Sequence, residues 1–423
     1  MQTAVEWLQS LPRLSGEPGL HRMQELLKLL GNPQENCKYV HIAGTNGKGT
    51  VAALTSNILI KAGFKTGMTL SPYVLDFRER FQINGEMILP RRLEELAEKV
   101  HNACKKMQEQ PAQFEAVTAV ALLWFSEEKC DLVVMETGLG GKYDATNVVE
   151  NTLVAAITRI DLDHTELLGD TVAKIAGEKA GIIKPNCTVI TYPVQEQEAL
   201  QVLVAECIKQ KADMVQPSAD DILIETEVRF ENNFDYGGYQ IRLPFLGAHQ
   251  AANASMAIEI ALALWRKGYE ISDEAIIEGL ETAALPARIE VLRKEPMLIL
   301  DGGHNPAGAQ ALAMTLESQN LDENPVAVMG VMEDKDVQPM LKALLGSFDR
   351  LYTVTPDSPR AMDAQRLARL AQRCQPGLAV TACDNLEEAL EAAVRDRRGA
   401  VICGSLYLAA QARPILLEKS KME

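Results

Sequence analysis

The chain has 423 residues, 47% of them hydrophobic and 24% charged, which allows two or three domains with ample buried core. Its formal net charge of −16 argues against a general nucleic-acid or anionic-membrane binder, which would carry a basic excess, but leaves room for small anionic substrates held by a few focused cations. Residues 1–20 lack the basic start and continuous apolar core of a secretory leader, and the longest suspect apolar run, residues 116–125, is too short to span a bilayer.

Apolar runs alternate with helical periodicity almost throughout, which predicts an α/β chain with a mainly parallel sheet. The run Tyr39-Val40-His41-Ile42-Ala43 leads into Gly44-Thr45-Asn46-Gly47-Lys48-Gly49-Thr50 and then a helix-like stretch over 51–62. Strand, glycine loop and helix make a phosphate cradle: backbone N–H groups converge on the anion and the helix N-terminus adds partial positive charge. Lys48 supplies a full charge for the terminal phosphates, and Thr50 a hydroxyl for Mg²⁺. The spacing is not the standard Walker pattern. Gly44 precedes Gly47 by three residues, and Gly49 separates Lys48 from Thr50.

A short strand follows at 66–70, then an irregular stretch through Ser71-Pro72 and helices over 90–107 and 114–128. A buried strand at 131–136 ends in Glu136 and the loop Thr137-Gly138-Leu139-Gly140-Gly141. An acid at the carboxyl edge of a central strand sits where open α/β sheets bind ligands and suits a metal ligand; a capping or salt-bridged glutamate is the alternative. Strand 153–157 runs into Arg159-Ile160-Asp161-Leu162-Asp163-His164. Such a histidine is by itself more often structural, but a strand in the same parallel sheet as Glu136 favours a metal role. Lys179, in Gly177-Glu178-Lys179-Ala180-Gly181, reads on its own as a lysine complementing a helix C-terminus. Further units follow near 172–180, 188–192 and 195–210. Residues 225–243 alternate as an antiparallel hairpin with the turn Gly237-Gly238, and helices over 251–267 and 273–282 close a first domain spanning 1–284.

The boundary is expected at Ala284-Leu285-Pro286. Residues 287–423 then form a smaller Rossmann-like domain with strands at 297–300, 326–330, 351–355, 378–381 and 400–403, and a solvated charged tail after 416. Leu298-Ile299-Leu300-Asp301 is again an apolar strand ending in an acid, followed by Gly302-Gly303-His304-Asn305-Pro306. Asn305 suits an N-cap and Pro306 the first helical turn, so Asp301 and His304 stand at a second strand–loop–helix junction. Capping plus a buried aspartate is the plainer reading of it. Two such junctions suggest a nucleotide held in the cleft between the domains.

At these residues the chain resembles the folylpolyglutamate synthase/dihydrofolate synthase family, ATP-dependent amide-bond ligases related to the muramyl-peptide ligases. The likeness covers nearly the whole chain. It rests on residues 44–50, Leu70-Ser71-Pro72-Tyr73 with Phe77-Arg78-Glu79-Arg80, Glu136 to Gly141, Asp144-Ala145-Thr146-Asn147, Asp163-His164, Glu178-Lys179-Ala180-Gly181, Asp301 to Pro306, and Gly404-Ser405-Leu406-Tyr407. The glycine between Lys48 and Thr50 is typical of the folate branch, and the chain lacks room for the extra N-terminal domain of muramyl ligases. The resemblance implies that Gly44, Thr45, Asn46, Gly47, Lys48, Gly49 and Thr50 hold the ATP phosphates. It implies that Thr50 and Glu136 bind one Mg²⁺, and that His164 and a carbamylated Lys179 help bind a second ion. Asn253, Arg288, Asp301 and His304 match nucleotide contacts; Ser71, Tyr73, Arg80, Phe114 and Asp144 match the pterin or folate region. Gly303, Lys142 and Thr50 stand where Ala, Arg and Ser are common in the family, and Lys142 loses the bidentate fork of Arg.

The expected chemistry is phosphorylation of an acceptor carboxylate by ATP and attack of L-glutamate on the acyl phosphate. Lys48, Lys179 and His304 are the catalytic candidates, and dihydropteroate and folates the acceptors. A bifunctional enzyme is favoured over a muramyl-type ligase. A nucleotide-switch protein is a third reading, because Thr158-Arg159-Ile160-Asp161 weakly matches a guanine-specificity motif, without its usual Lys. A monomer is expected, and the charge predicts no nucleic-acid or membrane partner. Eight cysteines without a C-x-x-C pair predict free, mostly buried thiols in a reducing cytoplasm.

Overall fold

The apolar runs become the strands of two mainly parallel sheets in a computed structural model that describes residues 2–420 apart from 14, 16, 17, 226 and 227. The first sheet contains β1 (Tyr39–Ala43), β2 (Thr66–Thr69), β3 (Gln82–Ile83), β4 (Glu86–Met87), β5 (Leu132–Glu136), β6 (Thr152–Ile157), β7 (Thr188–Thr191) and β8 (Asp213–Val215). Their order is β4-β3-β2-β5-β1-β6-β7-β8. Six strands run parallel, and β3 and β4 add an antiparallel edge. β1 and β5 are buried at every residue, which is why both read as unbroken apolar runs rather than alternating ones. On one side Tyr39, Val133 and Met135 share a core with helices Pro90–Cys104 and Gln113–Glu127. Elsewhere Ala155, Ile157 and Val189 pack with helices Val172–Ala180 and Gln197–Gln210. Each fully buried Leu, Ile or Phe in these cores contributes about 2 kcal/mol. One buried ion pair interrupts the first core: Arg22 Nε donates to both carboxylate oxygens of Glu115, at 3.2 and 3.1 Å.

The chain divides into two compact units, residues 1–222 with 252–283, and residues 223–251 with 284–423. Residues 223–251, expected in the first domain, belong to the second unit instead. Strands β9 (Ile222–Glu225), β10 (Asn232–Tyr236) and β11 (Tyr239–Leu243) form the small sheet. Phe230 N donates to Gln319 Oε1 at 2.7 Å, Arg229 Nη2 to Asn320 O at 2.6 Å, and Lys294 pairs with Glu231 at 3.1 Å. These non-local bonds tie the hairpin to the second unit. The expected hairpin itself is present, with Tyr236 opposite Tyr239 across Gly237-Gly238.

The second unit's main sheet comprises β12 (Glu290–Arg293), β13 (Leu298–Leu300), β14 (Val326–Met329), β15 (Arg350–Thr353), β16 (Ala379–Ala382) and β17 (Ala400–Cys403). The order is β12-β13-β17-β14-β15-β16, parallel except for β12. Helix Leu406–Ser420 continues into the expected charged tail, with Leu416 buried; residues 421–423 of that tail lie outside the described residues. No described helix is long and apolar enough to cross a membrane.

Candidate functional site

β1 lies between β5 and β6, so the carboxyl ends of all three strands meet at one edge of the first sheet. There Ile42 is in register with Glu136, and Ala43 with Ile157. The glycine loop leaves this edge, and helix Lys48–Lys61 starts on Gly47, whose φ of 91° suits glycine. The helix begins three residues before the apolar stretch suggested, which puts Thr50 in its first turn, buried. Gly44 is obligatory for another reason: a Cβ there would fall 1.7 Å from Thr158 Oγ1.

Arg159 and Asp161 brace the loop. Thr45 N donates to Arg159 O at 2.8 Å, Thr45 Oγ1 to Asp161 O at 3.0 Å, and Asn46 Nδ2 to Asp161 Oδ2 at 3.0 Å. The stretch weighed as a guanine-specificity motif therefore braces the glycine loop. Asn253, on helix Ala248–Arg266, reaches the same loop: a Cβ on Gly47 would meet its Oδ1 at 2.5 Å. A position 206 residues after Gly47 is thus brought to the cradle.

Two lysines converge on one carbonyl. Lys48 Nζ donates to Gly44 O at 3.1 Å and to Thr45 O at 3.3 Å, while Lys179 Nζ donates to Gly44 O at 2.7 Å. Lys179 is buried rather than a solvated helix-end lysine. Burial, and then the Lys48 charge, pull its ammonium down from 10.5 to about 7, against smaller opposing effects of Asp163 and Asp144.

Glu136, at the end of β5, is buried and accepts Ser71 N–H at 2.8 Å on Oε2. Among the described residues, the hydroxyl of its neighbour Thr137 is buried without a hydrogen-bond partner. His164 lies at φ 50°, ahead of the short helix Thr165–Leu168; its side chain is 45% exposed and Nε2 is 3.9 Å from Asp163 Oδ1. Among the described residues, no three His, Cys, Asp or Glu side chains are grouped to hold a metal ion.

The residues expected in the acceptor region fall into two groups. Tyr73 meets Phe77 edge to face at 5.8 Å, and the Arg80 guanidinium lies 5.4 Å from the Tyr73 ring centre and 5.9 Å from that of Phe77. Phe114 presses on the second glycine loop, its ring atoms 2.6 Å from where a Gly138 Cβ would stand. Asp144 closes that loop: Oδ2 accepts Leu139 N–H at 2.9 Å, and Oδ1 accepts Thr146 N–H at 3.0 Å and Thr146 Oγ1–H at 2.5 Å. Burial pushes its carboxyl above the usual range, opposed by these hydrogen bonds. Past it, Lys142 N donates to Glu178 O at 2.7 Å, so the loop is anchored on the helix that carries Lys179.

In the second unit, β13 stops at Leu300, one residue short of expectation, and Asp301 follows directly on it, buried. Its Oδ1 accepts Ile289 N–H at 3.1 Å and its Oδ2 accepts Gly303 N–H at 2.8 Å; burial raises its carboxyl, opposed by Gly303 N–H and the Arg288 charge. Arg288 stands between Ala287 (φ 58°) and Ile289 (φ 48°). A β-branched residue in the left-handed region is strained, and such strain gathers at functional loops. His304 Nδ1 lies 3.1 Å from Gly302 O, and Asn305 caps helix Pro306–Ser318 by accepting Gly308 N–H at 2.8 Å. Asp161 and His41 are the residues that sequence reasoning passed over. Asp161 was visible only as part of another motif, and His41 only as one polar residue in an apolar strand.

Two family models match the chain: the Mur ligase middle domain over residues 42–261, and the Mur ligase, glutamate ligase domain over residues 287–405. A dihydrofolate synthase/folylpolyglutamate synthase of Bacillus subtilis is 34% identical over 97% of this chain and 98% of its own length. The folylpolyglutamate synthase of Mycobacterium tuberculosis complexed with ADP superposes with a TM-score of 0.88 at 32% identity, over 97% of each chain. FolC of Escherichia coli, in complex with DHPP and ADP, gives 0.86 at 27% identity, over 99% of this chain and 98% of that one. The chain therefore belongs to the folylpolyglutamate synthase/dihydrofolate synthase family of Mur ligases.

Proposed function

We propose that the protein is an ATP-dependent ligase that adds L-glutamate to dihydropteroate and to the γ-carboxylate of reduced folates. The observation that carries this reading is the convergence of the Lys48 and Lys179 amines on Gly44 O, at the strand edge that also bears Glu136. That arrangement brings the Lys48 charge and the buried Lys179 amine to the glycine loop that would receive phosphate. The ADP in the Mycobacterium tuberculosis structure, the DHPP in the Escherichia coli one and the double name of the Bacillus subtilis relative support ATP use and both acceptors.

A carboxylate resists amine attack, so the acceptor carboxylate first takes the γ-phosphoryl group of ATP, giving an acyl phosphate and ADP. The deprotonated amino group of glutamate then attacks the acyl carbon, and the tetrahedral adduct expels phosphate to leave an amide. Lys48 exchanges its carbonyl partners for phosphate oxygens and stabilises their charge. Thr50 and Glu136 are hard oxygen donors and fit Mg²⁺, which when bound neutralises charge on the phosphoryl group. We assign His164 and Lys179 to a second ion. At about 7, the Lys179 amine is partly neutral near physiological pH; in that form it can add CO₂ and release a proton, becoming an anionic oxygen ligand. Ser71, Tyr73, Arg80, Phe114 and Asp144 are proposed for the acceptor. Asn253, Arg288, Asp301 and His304 are proposed as nucleotide contacts, with His304 also a candidate to orient reacting groups. All eight cysteines are free thiols, which supports a cytoplasmic location.

The test is ATP-dependent phosphate release with L-glutamate and dihydropteroate, tetrahydrofolate or no acceptor, with products weighed by mass spectrometry. One glutamate added to each acceptor is expected. Release with neither would refute the reading, and addition to folate alone would restrict it to the polyglutamate reaction.

A further inference from the structure

His41 lies in the middle of β1, fully buried, between Val40 and Ile42. Its Nε2 is 2.8 Å from Thr146 Oγ1, and Thr146 Oγ1 is 2.5 Å from Asp144 Oδ1. Among the described residues, Nδ1 has no hydrogen-bond partner. The hydroxyl has one proton to give. If Thr146 donates to the Asp144 carboxylate, it must accept from His41, which places the imidazole proton on Nε2 and leaves Nδ1 as a bare acceptor. The reverse direction would bury an unpaired Nδ1–H, and orphaned buried N–H groups are rarer than orphaned acceptors. The order of donation is therefore His41 to Thr146 to Asp144.

Asp144 is the residue that shapes the second glycine loop, through Leu139 N–H on Oδ2. Gly138 in that loop lies under the Phe114 ring, and Lys142 N anchors the loop to Glu178 O. The relay thus links the strand that feeds the phosphate loop to the loop that supports the acceptor region, across 105 residues of sequence. A phenylalanine or leucine would fill the same core volume without cost to a polar atom. The histidine is explained by its donor.

We propose that His41 is a positioning residue for the acceptor: its Nε2–H, passed through Thr146 and Asp144, holds residues 138–144 in the shape that receives the pterin-bearing substrate. This rests on the ligase reading above, in which Phe114 and Asp144 lie in the acceptor region.

The experiment compares His41→Leu, His41→Gln, Thr146→Val and Thr146→Ser in steady-state glutamate addition, with KM measured separately for acceptor and ATP. His41→Leu and Thr146→Val are expected to raise the acceptor KM about tenfold while the ATP KM stays within about twofold. Glutamine can place an amide N–H where Nε2–H stands, and serine keeps the hydroxyl, so both conservative variants should recover most of the acceptor affinity. Equal changes in the two KM values, or a lowered melting temperature with unchanged KM values, would overturn the proposal and leave His41 a packing residue. Nitrogen-15 shifts of the imidazole in the full chain supply a readout independent of turnover: burial, and then the Lys184 charge, pull the ring down from 6.5 to about 3, so a neutral Nε2–H tautomer is expected between about pH 5 and pH 8. An Nδ1–H tautomer overturns the relay. Wild-type protein that transfers glutamate to neither acceptor refutes the ligase reading instead, and the tautomer then decides the relay by itself.

Discussion

Replacing Lys179 by methionine is expected to stabilise the first unit and end its chemistry. Lys179 is only 3% exposed, and burial pulls its ammonium from 10.5 to about 7. The unfolded chain keeps that proton to about pH 10.5 and the folded chain only to about pH 7, so between those values the unfolded state binds more protons. Stability therefore rises with pH across that window. The penalty for the buried cation is full below pH 7 and gone near pH 10.5. With each pH unit worth about 1.4 kcal/mol, the penalty at pH 6 is roughly 5 kcal/mol. Methionine also loses the 2.7 Å hydrogen bond to Gly44 O, a loss of about 2 kcal/mol. The net expectation is a variant more stable by roughly 3 kcal/mol at pH 6, with the gap closing by about 1.4 kcal/mol per pH unit between pH 7 and pH 9. Trp7, Trp124 and Trp265, the three tryptophans of the chain, all belong to the first unit. Their fluorescence during urea unfolding in carbonate-free buffer reads that unit by itself. A stability difference independent of pH would refute the buried-cation argument, and glutamate addition above background would remove Lys179 from the proposed site.

Lys48→Ala is expected to abolish turnover and leave the melting temperature nearly unchanged; a near-normal rate of phosphate release would sink the phosphate-cradle assignment. Gly44→Ala puts a methyl 1.7 Å from Thr158 Oγ1, so the loop must shift, at about 3 kcal/mol, with loss of ADP binding by equilibrium dialysis. Thr158→Ala should return only part of that loss, because Thr158 Cβ would still be 2.9 Å away. Arg22→Ala leaves Glu115 charged and buried, and a loss of about 3–5 kcal/mol is expected by thermal or urea unfolding; a loss below 1 kcal/mol would mean that water reaches the site. Carbon-13 bicarbonate added to carbonate-free protein should produce a carbamate resonance and raise activity, and both should be absent in Lys179→Met.

What the sequence made visible was local. A strand, a glycine loop and a helix start are consecutive, and each junction announces itself within about ten residues through apolar runs, turn residues and caps. Glu136 and Asp301 are expected at strand ends for that reason; Glu136 ends β5, and Asp301 stands one residue past the end of β13. The hairpin around Gly237-Gly238 was equally clear from its alternation. Which unit claims it was not, because Phe230 and Arg229 bind Gln319 and Asn320, about ninety residues on. β3 and β4 have two residues each, too few for any periodicity to register. The helix at Lys48 began early because its start is set by the left-handed turn at Gly47, not by the first apolar side chain.

Lys179 and His41 show where local reading fails for a physical reason. A lysine near a helix end and a histidine in a strand both have ordinary explanations at the level of propensity, and both side chains prefer water. The structure buries them, and nothing within a few residues offsets the cost: their partners are 135 and 105 residues away. One partner is the carbonyl of the first glycine loop and the other is the hydroxyl that closes the second. Packing alone would have favoured apolar residues at both positions, by the same ledger that makes Lys179→Met stabilising. Their expense is intelligible only if each loop must hold a shape that a purely apolar core would not enforce, which is where sequences that otherwise agree at every level break their own rules.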